Sequence, residues 1–240
     1  MEFFKKLFGN KQSDNDSNSN GDLPKQNNSD PIQRAKNLLP KWRAAVAQDD
    51  AAKYDIARRQ YLELINVFPG LLSAYNNLAV LDIFEGNITS AKEYAEKATQ
   101  YSYANGQTTL GVIHVRQGNL AEAIVAFEKG GGTKEALTNL CGACAELGRY
   151  DEAIVAGESA LKLDKKDPPT YANLIRAYGK AGLPQKAEAL TAEAISHVSA
   201  QSLRPDLMIG RDSMLVLADT EGHLLVHIDK NGGLFTITIV

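Results

Sequence analysis

The chain has 240 residues, a formal net charge of −3 and 44% apolar side chains, enough to bury a continuous core in one or two domains. With that charge, and no run of Lys and Arg interleaved with aromatics, it has no electrostatic footprint for nucleic acid. Its one apolar opening, Met1 to Phe8, is far short of the roughly 20 residues that cross a bilayer and precedes no small-residue cleavage site. The expected compartment is therefore the cytoplasm.

That opening forms a short amphipathic tip over residues 1–9. On a two-turn helix Phe3, Phe4, Leu7 and Phe8 fall on one side and Lys5 and Lys6 across from them, with Gly9 as the stop. Residues 10–29 are a polar tract rich in Asn, Ser, Asp, Lys and Gln, with too little apolar surface to fold, and read as a disordered linker. An aromatic, lysine-flanked tip on such a leash suits docking into a partner groove or peripheral contact with the cytoplasmic side of a membrane. The plainer reading is that it folds back on its own chain or frays.

From residue 30 the pattern turns helical. Asp30 is placed to cap, Pro31 fits a first turn, and Pro40 is expected to restart a helix that carries Trp42. Alanines then recur at Ala57, Ala91, Ala123, Ala153 and Ala187, at spacings of 34, 32, 30 and 34 residues. A helical period in the low thirties predicts a solenoid of stacked helix pairs and a binding function rather than a catalytic one.

Each unit has an apolar first helix, a glycine, and a second helix with small residues one and two turns apart. The second runs through Tyr75, Leu78, Ala79, Gly86, Ala91, Ala95 and Ala98; the fourth through Leu137, Leu140, Cys141, Gly148, Ala153 and Ala160; the fifth through Tyr171, Leu174, Tyr178, Gly182, Ala187 and Ala194. Antiparallel helices joined by a tight turn need a glycine where the first ends and alanines where the backbones approach. The third unit keeps Leu110, Gly111, Gly118, Ala123 and Phe127 but meets Gly130, Gly131 and Gly132. Glycine is worse than alanine in a helix by about 1 kcal/mol, so this helix should end about a turn early, as a tolerated deletion or as a hinge that admits a partner.

In these residues the chain resembles the tetratricopeptide repeat family over roughly residues 38 to 200. The first unit, Leu38 to Leu71, is weaker and keeps Ala57, Tyr61 and Pro69. The resemblance implies a mainly α fold: a right-handed superhelical solenoid of about five helix pairs over residues 30–200. It also implies that first helices line a concave groove, with the residue before the conserved leucine pointing into it. Here that row is Arg43, Asn77, Thr109, Asn139 and Asn173, with Asn76 beside Asn77 and Arg176 a turn beyond Asn173. Amides donate and accept, and so match a peptide backbone, although asparagine at this position can equally order the helix surface or hold waters. The Lys and Arg clamp of the chaperone-docking members is not matched, because only Arg43 and Arg176 fall at groove positions and they lie far apart in the stack.

Residues 201–240 change period. Met214–Ala218, His223–Ile228 and Leu234–Val240 are short runs of Leu, Val, Ile and Thr separated by turn sequences, which predicts a small three-stranded antiparallel β-meander. So small a sheet needs its apolar face covered. The expectation is a cap on the open end of the solenoid next to the last repeat; the alternative is a sheet edge that joins a second copy.

The remaining motifs do not suggest chemistry. Cys141 and Cys144 form a C-x-x-C inside a first helix, without further ligands in register for zinc or a βαβ context for redox work, and read as buried thiols. His223 and His227 lie four apart in a strand, roughly 13 Å, too far to share a metal ion. His114 and His197 have no triad partner, and no phosphate loop or paired carboxylates are present. The sequence therefore suggests no catalytic residue, no metal and no cofactor, and a non-catalytic adaptor or assembly factor holding a peptide or helix of a protein partner in the groove. The alternative is a regulatory or structural homo-oligomer assembled through the C-terminal strands.

Overall fold

The computed structural model describes residues 30–197, 208, 212, 214–218, 224–229, 231 and 233–238. Among them are ten α-helices: α1 (Pro31–Asp50), α2 (Tyr54–Val67), α3 (Leu72–Glu85), α4 (Ile88–Ala98), α5 (Ala104–Arg116), α6 (Leu120–Lys129), α7 (Lys134–Glu146), α8 (Tyr150–Leu163), α9 (Pro168–Lys180) and α10 (Pro184–His197). They pack as five consecutive pairs, each odd-numbered helix also contacting the odd-numbered helix of a neighbouring pair along α3, α5, α7 and α9. No helix among the described residues is long and apolar enough to cross a membrane.

The pairs close because small residues sit where backbones meet. Ala57, Ala91, Ala123, Ala153 and Ala194 are buried, and a Cβ added at Gly111 would stand 2.4 Å from the ring of Phe127. Gly86, Gly118, Gly148 and Gly182, between the helices of four pairs, take φ between +74° and +81°, a region that costs an ordinary L-residue energy and glycine none. The helix α6 stops at Lys129, where Gly131 takes φ +70°. Its ten residues compare with fourteen in α2, α8 and α10, about one turn fewer.

At the N-terminal end Asp30 caps α1 by accepting from the Ile32 amide at 3.1 Å. Pro40 does not restart a helix, contrary to the sequence reading: α1 runs through it without a break. The lost main-chain hydrogen bond is outweighed by packing on both sides of the proline. Leu38 and Trp42 are buried, and the Trp42 ring lies 5.5 Å from that of Tyr61.

Three strands follow: β1 (Leu215–Ala218), β2 (Leu224–Ile228) and β3 (Leu234–Thr238). They pair antiparallel in the order β1-β2-β3, with Leu217 opposite Val226 and Val226 opposite Thr236. The expected placement of the sheet is overturned. It packs against α1 and α3, near the first repeat, rather than over the terminal pair α9 and α10. The physical reason is an available edge: the loop between α2 and α3 presents the Gly70 carbonyl, which accepts from the Ala218 amide at 2.9 Å, and Leu71 bridges Leu217.

Candidate functional site

Met208 and Asp212, which precede this sheet, bond to first helices of the solenoid, and with Val216 and Ala218 of β1 we call them the C-terminal arm. Two asparagines of the predicted groove row hold it through its main chain. The Asn77 amide donates to the Asp212 carbonyl at 3.0 Å and accepts from the Asp212 amide at 2.7 Å. One α3–α7 interval along the stack, Asn139 repeats the pattern, donating to the Met208 carbonyl at 2.8 Å and accepting from the Met208 amide at 2.7 Å. Each side chain thus takes both polar groups of one residue, as an opposing strand residue does in the narrow pair of an antiparallel ladder. Further along, the Val216 amide donates to Ser73 Oγ at 3.0 Å.

Asn77 is itself fixed from behind. Its Nδ2 also donates to the Tyr61 hydroxyl at 3.0 Å, and that hydroxyl donates to the buried Asp49 carboxylate at 3.2 Å. The side chain that reads the arm is thereby tied to α1 and α2, a polar network inside an otherwise apolar interface.

Asp212 is the unusual group of the arm. It is 3% exposed and lies among Tyr103, Asn105 and Asn76, with the Asn105 amide donating to its Oδ1. Burial pushes its pKa up to about 6, and the hydrogen bonds from Tyr103, Asn105 and Asn76 only partly oppose that. Burial and the neighbouring Asp212 together raise the Tyr103 phenol well above its ordinary range.

The other predicted groove residues divide by position. Thr109 donates its hydroxyl to Asn76 Oδ1 at 2.7 Å and so orders α3 against α5. Asn173 turns to the neighbouring repeat, donating to the Thr138 carbonyl at 3.2 Å, and Arg176 bonds both Asn173 Oδ1 and Glu146. Arg43 is exposed on α1. The tip residues Phe3, Phe4, Leu7 and Phe8 lie outside the described residues, as does His223.

The thiols of Cys141 and Cys144 are free and buried. Burial pushes their pKa values up to about 12 and about 11, which keeps them protonated and unreactive at neutral pH. Cys141 serves packing: its Sγ would lie 3.0 Å from a Cβ at Gly157. His197 stacks on Tyr171, and burial lowers the pKa of His114 and His227. Among the described residues no group of three or more His, Cys, Asp or Glu is arranged to hold a metal ion.

Sequence reasoning missed Met208, Asp212, Ser73 and Tyr103 as parts of this site. The arm has neither periodicity nor motif. One signal was nevertheless present in α3, which carries a single charged side chain, Asp82, between Leu72 and Ile83. A helix with so little charge on any side tends to be covered on all sides, and every residue from Leu72 to Ile83 is buried.

Comparison with known proteins agrees with this architecture. Models of the tetratricopeptide repeat match residues 72–105 and 145–198. Among solved structures, MamA is similar at a TM-score of 0.54 and 19% identity, over 64% of this chain and 93% of that one. A subunit chain of the APC/C hetero-tetramer Cut9-Hcn1 gives 0.58 and 22%, over 69% of this chain and 35% of that one. YrrB, a tetratricopeptide repeat protein with an unusual peptide-binding site, gives 0.51 and 18%, over 75% of this chain and 95% of its own. At these identities the likeness carries the fold alone. No curated protein sequence matches the chain. The repeat matches, the five stacked helix pairs and their glycine turns together show that the chain carries tetratricopeptide repeats, matched at residues 72–105 and 145–198.

Proposed function

We propose that the chain is a non-catalytic adaptor or assembly factor whose concave groove holds a segment of a partner protein by its main chain. One observation carries the reading: Asn77 and Asn139 each engage both the N–H and the C=O of a single residue of the arm, so the groove has the chemistry to grip a peptide. That chemistry also narrows the partner. In a helix interior the same N–H and C=O are already bonded within the helix, so the reading favours a non-helical segment over a helix. Asn173 and Arg176 extend the row toward the C-terminal end. The right-handed sense of the superhelix, implied by the family resemblance, belongs to the same proposal. YrrB supports it as a protein of like fold that binds peptide.

The tip at Phe3, Phe4, Leu7 and Phe8 provides a second attachment in this scheme, to protein or to the cytoplasmic side of a membrane. Two weak contacts on one flexible leash gain from effective concentration. The test is an array of short peptides bound to the full chain and to an Asn139→Ala, Asn173→Ala double variant. Peptides retained by the first and lost from the second support the groove; an unchanged set overturns it.

A second reading has its own observation. The sheet order leaves β3 at an edge, while β1 is flanked by β2 and by the bridge at Leu71. A second copy pairing along β3 would give a homo-oligomer. Mass in solution decides it: a dimer that disappears when residues 234–240 are removed supports this reading, and a monomeric full chain removes it.

A further inference from the structure

We propose that the C-terminal arm is a built-in competitor for the groove, and that the partner which displaces it is a non-helical segment carrying a carboxyl or amide side chain at the place of Asp212. This rests on the adaptor reading and specifies its regulation and the chemistry of its ligand.

The arm has the form of a ligand rather than of a repeat. Among the described residues it is held at four main-chain points, Met208 on Asn139, Asp212 on Asn77, Val216 on Ser73 and Ala218 on the Gly70 carbonyl. The first two use the very amides that would read a partner, so both segments cannot be bound at once. Main-chain anchoring is indifferent to side chains, which makes the arm replaceable by another sequence in the same register. Among the described arm residues, the side chain read closely is that of Asp212, received by Asn105, Tyr103 and Asn76. A carboxylic acid or its amide fills that pocket; a bulky apolar group removes the acceptor that Asn105 bonds and leaves a buried donor uncompensated.

The same pocket makes the arm's hold dependent on ionisation. The groups facing Asp212 are the phenol of Tyr103, from the turn before α5, and the neutral amides Asn105 of α5 and Asn76 and Asn77 of α3; behind Asn77 stand Tyr61 and Asp49. Among the described residues no cation faces Asp212. A buried carboxyl raised to about 6 is bound best when protonated, and loses its grip as pH rises through that value.

The test uses the full chain and a labelled synthetic peptide spanning residues 206–219, with Asn in place of the aspartate so that the probe does not titrate. Met208→Pro and Asp212→Pro each delete an arm N–H that a groove asparagine accepts, and leave the groove unchanged. Arm release is read by hydrogen exchange at the Val216 and Ala218 amides, and the fold by helical circular dichroism. The probe should bind the released variants at least tenfold more tightly than the wild type, and a probe with Leu at the aspartate position should lose at least tenfold.

Equal, measurable binding to wild type and released variants overturns the competitor and leaves the adaptor standing. An arm that is released without any probe binding overturns both. Should the proline variants not fold, the wild type suffices. Its probe affinity should rise at least tenfold between pH 4 and pH 7 and stay flat in Asp212→Asn; a flat wild-type profile overturns the competitor.

Discussion

Asn77 and Asn173 are the same residue type at the same position of two repeats, yet they do different work. Near the N-terminal end the arm lies across α3, and Asn77 joins it to Tyr61 through three hydrogen bonds. Near the C-terminal end Asn173 spends its amide on the Thr138 carbonyl of the adjacent repeat and on Arg176. The difference shows that a repeat position fixes where a side chain points, while its partner is set by what lies across the groove. At one end the amide is an adhesive between distant parts of the chain; at the other it braces neighbouring helices.

That contrast can be broken most strongly at Asn77. Asn77→Ala strands the Asp212 N–H and C=O in a buried interface and removes one donor from the Tyr61 hydroxyl, and should cost about 3 kcal/mol in denaturant unfolding. A loss below about 1 kcal/mol would mean the arm is not bonded there.

The ionisation of Asp212 sharpens the comparison without a substitution. The ordinary aspartate value is near 3.9, and the docked value is raised to about 6. Protonation therefore favours the docked arm: its stabilisation is full below about pH 4 and lost as pH rises through about 6. The whole swing is at most about 3 kcal/mol, at about 1.4 kcal/mol per unit. Stability measured across this window should fall in the wild type relative to Asp212→Asn; an unchanged difference between the two would contradict a raised Asp212.

Asn139→Ala should cost less, about 1–2 kcal/mol, because its contacts with Met208 are only partly buried. Its effect should be local, freeing the Met208 amide to exchange while Val216 stays protected. Asn173→Ala should be the mildest, about 1 kcal/mol, and should leave protection of every arm amide unchanged. If it loosens the arm as Asn77→Ala does, the two ends of the groove are not distinct.

The repeats were legible because they are local and periodic. Gly86, Gly118, Gly148 and Gly182 mark turns by a backbone requirement only glycine meets freely, and Ala91 or Ala153 marks a close helix approach. The asparagine row came from the family resemblance, which implies that the residue before the conserved leucine points into the groove. Pro40 misled because a single proline usually ends a helix, and the packing of Trp42 on Tyr61 that overrides it comes from a residue far along the chain.

The arm was illegible for the same kind of reason. Asn77 meets Asp212 across 135 residues, and main-chain recognition leaves almost no mark on the side chains being recognised. Proximity in sequence suggested that the sheet should close the last repeat. The exposed Gly70 carbonyl and the unprotected face of α3 drew it to the first instead.

The most direct measurement is native-state hydrogen exchange, resolved to single amides, on the full-length chain near pH 5. Met208, Asp212, Val216 and Ala218 should all be protected, and Asn77→Ala should remove the protection of Asp212 and Val216 while the α7 and α9 amides stay slow. Exchange of the four arm amides at the rate of an unstructured peptide would contradict an arm held in the groove.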